Sequence, residues 1–330
     1  MTFPPVETRT DVRPDGLARA VKGLAKPVVF KGAVASWPAV KHAKQSLDAL
    51  IDYLKACDSG FPAETFRQAP GSDGKYFYGD DSLKLNFSKA NIPISAVLSR
   101  LRTPGVEPIY IQSAPLKDHL PRLAAENRLP GIDAEPRAWI GNRSITQIHF
   151  DLYYNLACMV AGRKSFVLFP PEQVKNLYTG PFETTVSGVP TAMPNLENPD
   201  FETYPRFAEA LKVATIAELE PGDVLYIPYM WWHHVSSSGD FNMQVNYWWN
   251  TAPAEMGVAI QALLHGMLSL RDLPPDQNAA WKAMFDHFVF HQSDPVADHL
   301  RPEVRGLMGD LAPAQRTAIR QQIGKNLQED

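Results

Sequence analysis

The sequence predicts a mainly β protein: an antiparallel barrel or sandwich, preceded by mixed α/β elements and followed by a helical C-terminal region. Three observations predict it. From Trp139 onward, about eight short apolar segments follow one another, separated by turn signals such as Ala161-Gly162 and Pro221-Gly222-Asp223. The 29 prolines are spread along the chain and punctuate short elements throughout. Past about residue 254 the pattern changes, and apolar residues recur at the three- and four-residue steps of an amphipathic helix.

The elements follow in order. Residues 1–105 form the N-terminal α/β part. In it "KPVVFKGAV" (26–34) reads as a strand, and "SLDALIDYLKAC" (46–57) as an amphipathic helix behind the cap Ser46. The barrel is expected over 106–253. It opens with the strand "EPIYIQSA" (107–114) and continues with "RAWIG", "SITQIHF", "NLACMVA", "RKSFVLF", "VATIAEL", "DVLYIP", "WHHVSSS" and "NMQVNYWW". A long insert, 171–212, interrupts it and contains "GVPTAMPNLENPDFETYP", the kind of connection expected to act as a functional lid and to bear on substrate choice. Residues 254–330 contain three helical segments, "MGVAIQALLHGMLSL", "AAWKAMFDHFVFH" and "PAQRTAIRQQIGKNL". Leu263, Leu264, Met267, Trp281, Met284, Phe285 and Phe288 recur there at helical spacing, so this region is expected to pack on the barrel or, preferably, on a second copy as a homodimer.

A chain of 330 residues can bury a substantial core. Its net charge of −4 gives no general attraction to nucleic acid or to an acidic membrane surface. No stretch approaches the roughly 20 apolar residues of a membrane span, and "MTFPPVETRTDVRPDG" holds no apolar run. A cytoplasmic protein without a membrane partner is therefore expected. Cys57 and Cys158 are too sparse for a disulfide framework and are expected to be reduced thiols.

One stretch carries chemistry. In "QIHFDLYYNLACMVAGRKSFVLFPP" (147–171), His149 and Asp151 lie two apart on a strand-like run, so both aim to one face. Burying such groups unpartnered is costly, and "PGDVLYIPYMWWHHVSS" (221–237) offers the partner, His233 or His234. Two His and one carboxylate form the facial set used for non-haem Fe(II), which leaves positions open for oxygen chemistry. Zn²⁺ accepts the same donors. Strand alternation puts His233 and His234 on opposite faces and does not choose between them. No paired-carboxylate or Ser-His signal accompanies the cluster.

In these motifs the chain resembles the Jumonji C / cupin-like Fe(II)/2-oxoglutarate oxygenases. The likeness runs from about residue 20 to the C-terminus through "PVVFKGAVASWPAV", "TQIHFDLYYNLACMVAGRKSFVLFPPEQVKNLY", "NPDFETYPRF", "GDVLYIPYMWWHHVSS" and "NMQVNYWWN". In motif order and helical tail it is similar to the hypoxia-inducible-factor asparaginyl hydroxylase and the tRNA wybutosine hydroxylase. The resemblance implies a double-stranded β-helix (jelly-roll/cupin) core and dimerisation through the C-terminal helices. It also implies Fe(II) bound by His149, Asp151 and His233, with His233 preferred because Val235 follows it at the family's spacing. Lys164, Thr146 and Tyr110 are then expected to bind the distal carboxylate of the cosubstrate 2-oxoglutarate. Asn155 and Asn246 are expected beside its iron-proximal end, and Trp248 as a pocket wall.

The activity so implied is O₂-dependent hydroxylation of a C–H bond coupled to decarboxylation of 2-oxoglutarate, with a protein or peptide side chain the expected substrate. A tRNA-base hydroxylase is the alternative, for which Arg137, Arg143, Arg163 and Lys164 would supply a small basic patch. The non-enzymatic alternative is a metal-binding cupin-fold binding protein.

Overall fold

The computed structural model describes residues 1–69, 72–79, 84–186, 188–253, 256–290 and 296–329. They divide into two compact units, Met1–Asn250 and Thr251–Asp330.

The first unit is built on one twelve-stranded sheet. Its strands are β1 (Glu7–Arg9), β2 (Val28–Phe30), β3 (Pro62–Arg67), β4 (Lys75–Tyr76), β5 (Ser88–Pro93) and β6 (Ile109–Pro115). They continue as β7 (Pro136–Gly141), β8 (Ser144–His149), β9 (Tyr154–Phe169), β10 (Thr215–Leu219), β11 (Val224–Ile227) and β12 (Trp232–Trp249). The main path runs β1-β2-β11-β9-β12-β7-β6-β3-β5, so strands from the N-terminal hundred residues extend the barrel sheet at both edges. The core is mainly β with helices on its flanks, as the alternating pattern predicts.

Two strands are much longer than the turn signals imply. "NLACMVA" and "RKSFVLF" run together as β9, and "WHHVSSS" and "NMQVNYWW" as β12, and these two pair antiparallel over nearly their whole length. Ala161-Gly162 is therefore a bend inside a strand. The pairing shifts register between Ser238 and Met243, and Gly162 takes φ +79° there. A Cβ at Gly162 would lie 2.2 Å from Asn242 Oδ1 and 2.5 Å from the Phe241 carbonyl oxygen, so only glycine fits. Because both strands turn this corner, each serves two faces. Their halves near 154–161 and 242–249 join β11 and β7, while the halves near 163–169 and 232–238 join β10 and β8. This is the rolled, two-faced sheet of a cupin-like barrel.

Alternation along β9 then assigns each side chain. Phe166 and Leu168 pack with Met159, Leu225 and Ile227, while Val167 and Phe169 pack on the other face with Leu177, Leu196 and Phe207 from the 171–212 insert. The insert is thus a packed cover over one face of the sheet, fastened through Ala192 N–H to the Ile148 carbonyl at 2.7 Å and a bridge between Thr191 and His149. Helix Leu47–Cys57 forms as expected, with Ser46 Oγ accepting from Ala49 N–H at 3.0 Å. It buries Leu50, Ile51 and Leu54 in a separate core with Val97, Leu98, Ile111 and Ile140.

The second unit contains the α-helices Ala259–Leu270, Pro275–Phe288 and Pro313–Glu329. His291, the end of the predicted middle segment, lies outside the described residues. Among the described residues, no helix is long and apolar enough to cross a membrane.

Candidate metal centre and its cavity

His149 ends β8 and His233 lies at the start of β12, and the two are register partners with ring centroids 4.3 Å apart. Asp151 follows β8, held by its carbonyl accepting from Met230 N–H at 3.1 Å. One donor atom from each of His149, Asp151 and His233 lies within 4.8 Å of the others. Asp151 Oδ2 is 3.6 Å from His233 Nε2.

Both imidazoles are oriented by the same device. His149 Nδ1 is 2.8 Å from the Gln147 carbonyl and His233 Nδ1 is 3.0 Å from the Trp231 carbonyl. Donation from Nδ1–H to a backbone carbonyl leaves each Nε2 lone pair free, the tautomer a metal ligand needs. Burial raises the Asp151 carboxyl above its usual range, against the pull of His149 and a hydrogen bond from Asn155. Burial likewise lowers His233 well below the ordinary imidazole value, with His149 adding to the effect. A dry site that disfavours both a lone carboxylate and an imidazolium matches a divalent cation, whose charge satisfies the carboxylate while the imidazoles stay neutral. The donor set suits non-haem Fe(II), and Zn²⁺ by donor type alone.

His233 and His234 separate by face. Val235 and Trp231, of the same parity as His233, pack against the barrel-interior cluster, while Trp232 packs under the insert. His234 follows Trp232 outward, and its Nε2 meets Glu197 Oε1 of the insert at 2.8 Å. Burial acts to raise Glu197, but the His234 contact, a backbone N–H and the nearby Lys75 together outweigh it, and the carboxyl is lowered to about 2.

The triad opens into a cavity of about 640 Å³, and every residue expected at the cosubstrate lines it: Lys164, Thr146, Tyr110, Asn155, Asn246 and Trp248 besides the three donors. Lys164 is 3% exposed, shares the inward parity of Phe166, and has its Nζ 5.9 Å from the Tyr110 ring centroid. No carboxylate pairs with it among the described residues, and burial lowers it to about 7. Tyr110 is buried, which raises its hydroxyl, and it stacks on Tyr76 at 5.7 Å.

Thr146 and His149 are three residues apart, so strict alternation would turn them to opposite faces. The β8–β12 register explains why both reach the cavity: His233 pairs with His149 but Val235 with Thr146, which places one extra residue on β8 as a bulge.

A line of carboxamides ends at the Asp151 carboxylate. Gln244 Nε2 donates to Asn246 Oδ1, Asn246 Nδ2 donates to Asn155 Oδ1 at 2.9 Å, and Asn155 donates to Asp151. Trp248 crosses the edge of Trp139 at 5.1 Å and lies flat on Tyr153 at 5.9 Å. Trp248 Nε1 and Gln244 Oε1 are buried and without a hydrogen-bond partner.

Several lining residues are not predicted from the sequence: Gln244, Trp139, Gln112, Ser113, and Thr185 and Val186 from the insert. Gln244 was findable, since alternation along β12 puts it on the face of Asn246 and Trp248. The rim residues Glu64 and Lys89 come from β3 and β5, distant in sequence, and carry no local signal. The proposed basic patch is not one surface. Lys164 and Arg137 line the cavity, Arg163 points outward to Glu220 at 2.8 Å, and Arg143 donates to the Ser72 carbonyl at 3.1 Å.

Comparison with known proteins follows this geometry. A family described as "Cupin-like domain" matches residues 14–255. The chain is 28% identical over 261 residues to lysine-specific demethylase JMJ30 of Arabidopsis thaliana, covering 76% of this chain and 56% of that protein. It is 36% identical over 143 residues to tRNA wybutosine-synthesizing protein 5 of Gallus gallus, covering 39% of this chain and 42% of that protein. With lysine-specific demethylase 8 of Danio rerio it shares 29% identity over 235 residues, 68% of this chain and 53% of that protein. The matches thus span about half the length of these relatives.

Proposed function

The chain belongs to the cupin-like (Jumonji C) family, and on that premise we propose that it is an Fe(II)- and 2-oxoglutarate-dependent dioxygenase that hydroxylates a C–H bond of a protein or peptide side chain. The observation that carries this reading is the convergence of the His149/Asp151/His233 cluster and the unpaired, buried Lys164 on one cavity. Fe(II) held by the three donors would supply oxygen-activating chemistry, with 2-oxoglutarate as the co-reductant that is decarboxylated.

The chain's own residues do the rest. Lys164 supplies the cation for the distal carboxylate of 2-oxoglutarate, and the Tyr110 and Thr146 hydroxyls serve as donors to the same group. The Gln244–Asn246–Asn155 line fixes the Asp151 carboxylate, as outer groups do around metal ligands. Trp139 and Trp248 wall the cavity and limit water.

A protein or peptide substrate is favoured over tRNA because the basic residues divide between cavity and outer surface rather than forming one face. The proposal also includes a cytoplasmic site of action, consistent with the two free, buried thiols, and a homodimer through the C-terminal helices. Exposed Leu263, Leu264, Leu268, Trp281 and Met284 support the latter.

The test is succinate release from 2-oxoglutarate by the Fe(II)-loaded protein in air, with products sought by mass spectrometry in peptide and tRNA pools. Release that needs Fe(II) and disappears in His149→Ala supports the oxygenase. Absence of release, with no visible absorption band on anaerobic addition of Fe(II) and 2-oxoglutarate, would sink it in favour of a binding protein. Oxygen gained on tRNA alone would transfer the assignment to the tRNA reading.

A further inference from the structure

The cavity holds a second cation that the cosubstrate does not use. Arg137 lies on β7 opposite Asn246 of β12, and directly paired residues share a face, so it points into the same cavity. Its guanidinium is anchored at one end only: Nε donates to both the carbonyl oxygen of Ser113, at 3.1 Å, and its Oγ, at 2.6 Å. Among the described residues no carboxylate lies within ion-pair distance of it, and neither terminal nitrogen has a hydrogen-bond partner.

The anchor is built by a distortion of β6. Ile111 pairs with Ile140 but Ala114 with Ala138, so β6 carries one extra residue at Gln112-Ser113. Ser113 takes φ +54°, the left-handed region that costs a non-glycine residue energy. Two departures from regular strand geometry thus hold one arginine with its terminal nitrogens free.

We propose that Arg137 is a specificity-determining residue that binds a carboxylate of the peptide substrate, an acidic side chain close to the oxidised carbon. The inference rests on the oxygenase reading above, in which Lys164 and the metal account for both carboxylates of 2-oxoglutarate. The two terminal nitrogens of a guanidinium match the two oxygens of one carboxylate. A nucleic-acid backbone fits less well. Lys89, the other cation at the rim, is 3.6 Å from Glu64, which lines the same cavity and would repel a run of phosphates.

The test uses the whole chain with Fe(II) and 2-oxoglutarate on a synthetic peptide library. Every acidic peptide in it has a twin with Asp changed to Asn or Glu to Gln, and oxygen gain is read by mass spectrometry. The wild type is expected to prefer the acidic twin by about 10- to 100-fold in kcat/KM, mostly through KM, the range of a lost charged hydrogen bond. In Arg137→Gln the ratio of acidic to amide rates falls to near one, and Arg137→Lys restores part of it. Ser113→Gly, which keeps the left-handed backbone and removes Oγ, gives an intermediate ratio and serves if Arg137→Gln fails to fold. Equal rates on the twins, an unchanged ratio in the variants, or no oxidised peptide while the wild type still releases succinate would each overturn the proposal. Loss of all 2-oxoglutarate turnover in the wild type would instead overturn the oxygenase reading on which it rests.

Discussion

Two adjacent histidines, both buried, have separate work because a strand turns alternate residues to opposite faces. His233 lies in the donor cluster, and His234 ties the insert through Glu197. His233→Ala should therefore lower bound iron and succinate release by more than the about 10- to 100-fold that loss of an outer partner costs. His234→Ala should keep iron and loosen the insert, seen as faster proteolysis within 171–212. Metal analysis and limited proteolysis on both variants check this, and iron loss from His234→Ala alone would contradict it. Lys164 gives a pH prediction. Its folded value is about 7, against an ordinary lysine near 10.5 in the unfolded chain. The buried charge thus destabilises the ligand-free fold fully below pH 7, and the effect fades as pH rises toward 10.5. Lys164→Met should raise the ligand-free Tm most at pH 6 and progressively less at pH 8 and 9. The same variant should lose 2-oxoglutarate binding. In the wild type, binding the dianion requires the proton, so the Kd for 2-oxoglutarate should rise above pH 7, approaching about tenfold per pH unit. A pH-independent Kd would show that Lys164 is not the anchor.

At the scale of elements, the corner shared by β9 and β12 sets the barrel. Gly162→Ala combines a strained φ with a clash against Asn242 and Phe241, and should destabilise by about 2 kcal/mol or more, measured by denaturant titration. The same corner shows how far local sequence could be read. Alternation and turn residues located β2 and β6 to β12 but not the N-terminal strands β1, β3, β4 and β5, and Ala161-Gly162 signals a tight turn and a strand bend alike. Only the close approach of Phe241 and Asn242, some eighty residues on, decides between them. The site divides the same way. His149 and Asp151 are visible as a pair two residues apart, which the structure places at and just past the end of β8, and a strand residue of matching chemistry supplies the third donor. Thr146 reaches the cavity through a bulge that exists only in register with β12, and Arg137 is anchored there by a bulge of β6 that exists only in register with β7. Neither bulge has a local signature, since each is a property of two strands. Residue resemblance supplied Thr146, whereas periodicity alone would have turned it outward.

The whole molecule joins two units of unequal interior. Met1–Asn250 contains the cavity and all the large cores, whereas among the described residues past Asn250 only Ala297 is a buried hydrophobic. Helices of 12, 14 and 17 residues with so little interior cannot offset the entropy of their own ordering, so their apolar residues need a covering surface. Leu263, Leu264 and Leu268 recur at helical steps on Ala259–Leu270, with Leu268 84% exposed, and Trp281 and Met284 do the same on Pro275–Phe288. Patches of this kind are rare on monomers, and a stable dimer interface of about 1,600 Å² in total would be ample to cover them. The proposed homodimer should appear as twice the chain mass by light scattering at micromolar concentration. Leu268→Glu with Trp281→Glu should weaken association by at least about 30-fold, the scale of losing one central anchor residue. The donor cluster and the cavity lie wholly within the first unit. The dissociated variant should therefore still bind Fe(II) and 2-oxoglutarate, read anaerobically by their visible absorption band. A wild-type chain that stays monomeric across that concentration range would assign the exposed face to a different partner.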